Sequence, residues 1–408
     1  MPFERRFPVA LMTLAASLAV PSVGLVQKYL GYGGAVAYIV GVCASVLVAY
    51  RALDSPLATR LGERGALALL GATFVALIGV FAAVHPAIDY AQGDANEALD
   101  YAVRELLAGR YSYGVQTQLG NVIAPLPGAV LLALPFVVLG DSAYQNFFWL
   151  ALFCLLCRGL LGSWRASLAV LSMILLLSPT IVQSLLLGGD RVASTLFTLL
   201  LMVFFIDSVT KRPTAPGRAI LAALLLGLCL SSRGNFLFLL LPALPLLLAG
   251  AGLRRTAWSL AVTAASFIAV TAPFYLADPN GFTPTHQITK LTQAFPYARE
   301  IVLMAAGLLA IALAVRTARL QAPGYRDFFA GAAILQAFLF ASAVALFSLQ
   351  VQDAQSTFVF IKEGYGVHFL FFGVLASVIT LWPGSRLIYA PAGVPHRRAS
   401  PDGPTEPA

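Results

Sequence analysis

Long apolar runs separated by short polar links make up nearly the whole chain. Segments near 7–26, 34–50, 65–84, 144–163, 167–187, 190–209, 218–233, 235–250, 256–276, 298–317, 327–348 and 365–382 each have the length and apolarity a helix needs to cross hydrocarbon. Uninterrupted runs such as 219–230 and 301–315 lack the short alternating segments of a membrane β-barrel. The pattern predicts an all-α polytopic membrane protein of about 12 transmembrane helices, with Gly31-Tyr32-Gly33-Gly34 as the turn between the first two.

Two stretches break this rhythm. Residues 85–127 form a polar island holding Asp89, Asp94, Glu97, Asp100 and Glu105, and 95–108 within it reads as an amphipathic helix. Carboxylates are costly beside hydrocarbon, so such a cluster between spans marks a working face. The second stretch, 124–140, is apolar but entered through Pro125 and Pro127, which favour a turn before a helix.

The distribution of positive charge decides what 124–140 does. If it returns to the side it came from, 18 of the 26 Lys and Arg fall in cytoplasmic links and 8 outside; if it crosses, the count becomes 10 against 16. The first arrangement is preferred, which makes 124–140 a juxtamembrane or re-entrant helix on the outer face and leaves both termini cytoplasmic. Asp89, Asp94, Glu97, Asp100, Glu105, Asp141, Asp190, Asp278, Glu300, Asp353 and Glu363 then share that outer face. The expected organisation is one membrane domain over 1–388, with an outer loop at 85–143, and a Pro/Arg/Ser-rich tail at 389–408 read as disordered and cytoplasmic.

Composition narrows the function. With 59% hydrophobic and 11% charged residues the chain is no soluble globular protein, and its +8 charge reflects cytoplasmic links rather than nucleic-acid binding. Cys43, Cys154, Cys157 and Cys229 all lie in apolar spans, where thiols act as small hydrophobes, and Cys154-Leu-Leu-Cys157 lacks the second ligand pair of a zinc site. Nor is there a Gly-rich loop followed by Lys and Ser/Thr to cradle a nucleotide phosphate.

One family resemblance emerges from the polar island and the spans C-terminal to it. Gly93-Asp94, Ala102, Leu106-Leu107-Ala108-Gly109-Arg110, Tyr113, Pro125-Leu126-Pro127 and the apolar stretch to Leu139-Gly140 resemble the first outer loop of GT-C superfamily glycosyltransferases. Ser178-Pro179 with Leu187-Gly188-Gly189-Asp190 resembles the acidic second outer loop, and Gly227 to Asn235 resembles a later hairpin carrying a basic residue. The likeness covers roughly 85–250; two extra N-terminal spans depart from the family pattern, and no large C-terminal soluble domain is present. It implies sugar transfer from a polyprenyl-phosphate donor to a glycolipid or polysaccharide acceptor at the outer face of the plasma membrane, with inversion at the anomeric carbon.

Particular residues suit those roles. A carboxylate must take the acceptor hydroxyl proton; Asp94 is the first choice and Asp89 the second, although Asp94 is also placed to N-cap the helix behind it. Asp190 opens a span, where it is placed either to cap the helix or to bind acceptor or metal. The leaving lipid phosphate needs positive charge, for which Arg233 is the leading candidate, followed by Arg191, Lys290 and Lys362, with His286 and His368 as further phosphate or proton contacts. Glu97, Asp100 and Glu105 read as a solvated helix face. A divalent cation between Asp94 and Asp190 is open, since no close ligand spacing marks one. Two other functions share these features: a transporter or flippase of lipid-linked saccharide, which predicts paired repeats and ionisable groups at mid-membrane, and an envelope polysaccharide polymerase or ligase, which leans on outer Arg and His.

Overall fold

The computed structural model describes residues 3–52, 61–87, 95–211, 216–285, 297–320, 323–351 and 364–382. All regular secondary structure among the described residues is helical, without a strand. In chain order the helices are α1 (Phe3–Ala52), α2 (Glu63–Val84), α3 (Ala95–Leu107), α4 (Pro127–Val138), α5 (Tyr144–Leu161), α6 (Trp164–Leu177) and α7 (Pro179–Leu187). They continue with α8 (Asp190–Thr210), α9 (Pro216–Leu230), α10 (Leu240–Ala277), α11 (Ala298–Ala318), α12 (Tyr325–Val351) and α13 (Val367–Leu381). Asp89, Asp94, His286, Lys290, Lys362 and the tail 389–408 lie outside the described residues.

Helix α1 is not one rod. A straight helix would separate Phe7 from Tyr50 by roughly 65 Å, yet their ring centroids are 4.7 Å apart and the Tyr38 hydroxyl oxygen lies 3.3 Å from Leu18 O. The chain reverses at Gly31, whose φ of 69° is the left-handed conformation that glycine adopts without steric cost. Helix α10 turns back in the same way at Gly252 (φ 74°). Near one of its ends Phe274 O accepts the Tyr111 hydroxyl, whereas Gly250, just before the reversal, packs against Thr210.

Seven described helices are long and apolar enough to cross a membrane, and an eighth is formed if α6 and α7 count as one bent span. The run 167–187, expected as a single straight span, bends by 87° between them. Pro179 starts α7, and Ser22 of α1 answers the interrupted backbone: its hydroxyl lies 3.1 Å from Ser178 Oγ and accepts from Thr180 N–H. Helices α4, α9 and α13 are apolar but shorter.

The central core joins α1, α2, α5 to α10, α12 and α13. Helices α2, α11 and α12 bury little of themselves and turn side chains such as Leu67, Val75, Met304 and Leu308 outward. Exposed apolar surface of this extent is stable in hydrocarbon and not in water, so the protein's surroundings are a lipid bilayer. Close helix contacts rest on missing side chains. A Cβ on Gly128 would lie 2.1 Å from Leu228 O, and one on Gly373 would lie 2.0 Å from Ser17 Oγ.

A second, smaller core lies at one end of the bundle. Amphipathic α3 lays Leu99, Ala102 and Val103 on α4 (Ala129, Val130, Ala133), and Tyr113, Ile123 and Phe282 close over them. The start of α4 is tied to the end of α9 by Leu126 N–H to Ser232 O (3.2 Å) and Gly128 N–H to Ser231 O (2.8 Å). Tyr113 donates to Pro125 O and Thr283 to Ile123 O, which fixes the loop entering α4. At 12 residues α4 is about 18 Å long, too short to cross.

Candidate functional site

The centre forms where two helix breaks meet. Gly188, at φ 74°, terminates α7, and after the extended Gly189 the chain starts α8 at Asp190. Buried Asn146 of α5 braces this junction, donating from Nδ2 to Gly189 O (3.1 Å) and accepting at Oδ1 from Ala193 N–H (3.0 Å). Across from it, α9 ends at Leu230, and Arg233 sits in extended backbone before a 3₁₀ turn leads into α10. Arg233 reaches over and donates from Nη2 to both oxygens of Asp190, at 2.6 and 2.5 Å.

This pair is taken largely out of solvent: the Asp190 side chain is 6% exposed and that of Arg233 20%. Two desolvated charges are tolerated only when well paired, and the helix N-terminus adds favourable potential for the carboxylate. Asp190 therefore spends its carboxylate on Arg233; it does not cap α8 with its side chain. The Arg233 Nε is buried with no hydrogen-bond partner among the described residues, so the guanidinium keeps donor capacity toward them.

Arg191 and His368 stand beside the pair. The Arg191 guanidinium lies over the Tyr365 ring, 4.4 Å from its centroid, next to Gly364. Thr195 spends its hydroxyl proton on Arg191 O (2.8 Å), so the 2.8 Å contact between its oxygen and His368 Nδ1 is donated by the imidazole. In the neutral ring Nε2 is then the acceptor. Phe236 meets the ring edge-to-face at 5.2 Å, and both Arg191 and Arg233 are near enough to act on it electrostatically. Four sequence candidates, Asp190, Arg191, Arg233 and His368, thus converge from α8, the α9–α10 break and α13.

Beside this centre, the helix face expected to be solvated is not. Glu97 and Asp100 are buried. Glu97 accepts from the Tyr101 hydroxyl and Gln118 N–H, and Asp100 accepts from Ser142 N–H at 2.9 Å. Burial pushes the Asp100 carboxyl above its ordinary 3.8, with the Ser142 hydrogen bond opposing. The helix is amphipathic as expected, but Asp100 is covered where α3 meets the α4–α5 loop at Ser142, and Glu97 where the α3–α4 loop crosses it at Gln118. Glu105 pairs with exposed Arg110 (2.5 Å), which holds its carboxyl below the usual range.

Sequence reasoning missed His85 and Asp141. Nδ1 of His85 lies 3.0 Å from Leu186 O and Nε2 lies 3.0 Å from Asp141 Oδ2. A carbonyl only accepts, so Nδ1 carries a proton; the bond to Asp141 then needs another proton, held on Nε2 or on the carboxyl. The latch ties the end of α2 to the loop before α5 and to the last turn of α7. A single His followed by Pro at a span end gives no sign of partners 56 and 101 residues away. Asn146 and Tyr365 were equally unmarked.

Among the described residues no group of three or more His, Cys, Asp and Glu is arranged to hold a metal ion. No protein-family model matches the chain, and neither a curated protein nor a solved structure is significantly similar to it.

Proposed function

We propose that this protein is an integral-membrane glycosyltransferase that moves a sugar from a polyprenyl-phosphate donor to a hydroxyl of a glycolipid or cell-envelope glycan, on the outer face of the plasma membrane. The observation carrying this reading is the Asp190–Arg233 pair with Arg191 and His368 beside it, at a helix junction where two interrupted spans meet. The re-entrant-type helix α4 docks directly onto the segment that presents Arg233. Our reading takes each glycine-reversed helix as two spans, the bent pair as one, and α9 and α13 as crossings, and it assigns both termini to the cytoplasm and α3 and α4 to the outside.

In this reading the acceptor hydroxyl gives its proton to a carboxylate as its oxygen attacks the anomeric carbon. The bond from that carbon to the phosphate oxygen breaks, and the polyprenyl phosphate departs with the electron pair. Arg233 and Arg191 supply the positive charge that stabilises the departing phosphate, with Asp190 holding Arg233 in position. The base is Asp94, with Asp89 second, and Lys290, Lys362 and His286 are additional outer-loop contacts for phosphate.

The test is glycosyl transfer from radiolabelled polyprenyl-phosphate sugars in membranes carrying equal amounts of wild-type protein, Asp94→Asn or Arg233→Ala. Loss of wild-type-dependent transfer in both variants supports the reading. Retained activity in Asp94→Asn with loss in Arg233→Ala moves the assignment to an envelope polymerase or ligase. No transfer by the wild type, with carrier-linked saccharide accumulating on one side, moves it to a flippase.

A further inference from the structure

At the opposite end of the bundle from the Asp190–Arg233 centre, α1, α11, α12 and α13 enclose a cavity of ≈ 460 Å³. This lies within the size range of small-molecule sites. Its walls are apolar, from Val9, Leu313 and Ile334 among others, and its rim carries Arg316 and Arg326. Arg326 is partly committed, its Nη2 donating to Asp327 Oδ1 at 2.8 Å, while Asp327 Oδ2 takes Gly324 N–H. Arg316 makes no ion pair among the described residues, so the rim has one positive charge in excess.

Three of the four hydroxyl residues that line the cavity complete the picture. Thr13, Ser377 and Thr380 each donate to the carbonyl four residues earlier in their own helix, at 2.8 Å in every case. Their hydrogens are used, so they present acceptor lone pairs only. The site therefore offers guanidinium donors for an anion, hydroxyl acceptors for a group that itself donates, and apolar walls for chains. We propose that it binds one phospholipid with an anionic phosphodiester and a hydroxyl-bearing headgroup, of the phosphatidylglycerol type. One negative charge meets one uncompensated positive charge, and basic pockets between membrane helices take such headgroups. The chain beyond Leu381 is no substitute occupant: it carries Arg386, Arg397 and Arg398 against Asp402 and Glu406, the wrong sign for this rim. Lipid binding here is independent of the sugar-transfer reading.

The experiment is native mass spectrometry of the full chain in detergent with equal phosphatidylglycerol and phosphatidylcholine of the same acyl chains. The wild type should retain phosphatidylglycerol preferentially. Arg316→Gln should reduce that retention about fivefold, and Arg326→Gln should do so independently. Thermal unfolding in lipid-free detergent should be unchanged for the exposed Arg316→Gln. Equal retention of the two lipids, retention unaffected by both substitutions, or displacement by glycerol 3-phosphate alone would overturn the assignment, the last indicating a soluble phosphate site.

Discussion

Arg233 closes over Asp190 with one nitrogen, contacting both carboxylate oxygens across 43 residues of sequence. Each residue stands at a break between helices, so the ion pair also joins two places where backbone continuity is lost. Removing one partner leaves the other charge buried alone, at a cost of about 3–5 kcal/mol. Arg233→Met and Asp190→Asn should each lower the unfolding midpoint in detergent. The double variant should recover a large part of the loss, and full additivity of the two singles would show that the pair is not coupled.

Gly128 offers a steric test of how α4 is held. An added methyl group would meet Leu228 O at 2.1 Å and the Ser231 carbonyl at under 3 Å, all of it backbone. Gly128→Ala should push α4 off α9 at a cost of about 1–3 kcal/mol and expose the Arg233 segment to protease. Gly159 is the matched control, since a Cβ there meets nothing within 4 Å and alanine favours the helix by up to about 1 kcal/mol. Equal behaviour of the two variants would contradict the docking of α4.

Asp100 gives a pH dependence of defined sign. Its folded carboxyl titrates above the ordinary 3.8 because it is buried. Between those two values the folded state holds a proton that the unfolded chain has released, so this residue's contribution to stability falls as pH rises through the window and is level above it. Asp100→Asn keeps an oxygen for Ser142 N–H and should remove that slope. Glu105 acts in the opposite direction through Arg110, its contribution disappearing as pH falls through its lowered folded value. Melting curves between acid and neutral pH for Asp100→Asn in a Glu105→Gln background isolate the first effect, and an unchanged slope would exclude Asp100 as its source.

The His85 latch makes a distinction between two conservative changes. In Asp141→Asn the amide can donate from Nδ2 to a neutral His85 while its oxygen still accepts Ala143 N–H, the bond Asp141 makes at 2.7 Å. Stability should change little. His85→Phe preserves the ring stacked on Phe81 but removes the donor to Leu186 O and the hydrogen-bond partner of Asp141 Oδ2, and should cost about 1–3 kcal/mol by the same melting assay. A larger loss in Asp141→Asn than in His85→Phe would refute this proton assignment.

Most of the helices could be read from hydrophobic runs because apolar length alone decides what hydrocarbon accepts, and the Gly31 reversal was visible as a glycine cluster. The 87° bend at Ser178-Pro179 was not, since its backbone is satisfied by Ser22, far away in sequence. At the site, Asp190, Arg191, Arg233 and His368 stood out as ionisable groups beside apolar spans, where every charge needs a reason. Their mutual pairing, and the bracing by Asn146, depend on how α5, α8 and α13 pack. The burial of Glu97 and Asp100 was hidden because helical period tells which residues share a face, but not how far a neighbouring loop covers its edge.

The contact of Gly373 on Ser17 and of Gly366 on Pro21 places α13 against the opening hairpin. The first and last of the described helices are therefore neighbours, and the bundle is fastened like a clasp. During synthesis the opening hairpin enters the bilayer with this face uncovered, and α13 emerges only after the helices between them have been made. This contact is therefore formed late, and truncation before α13 leaves the opening hairpin uncovered.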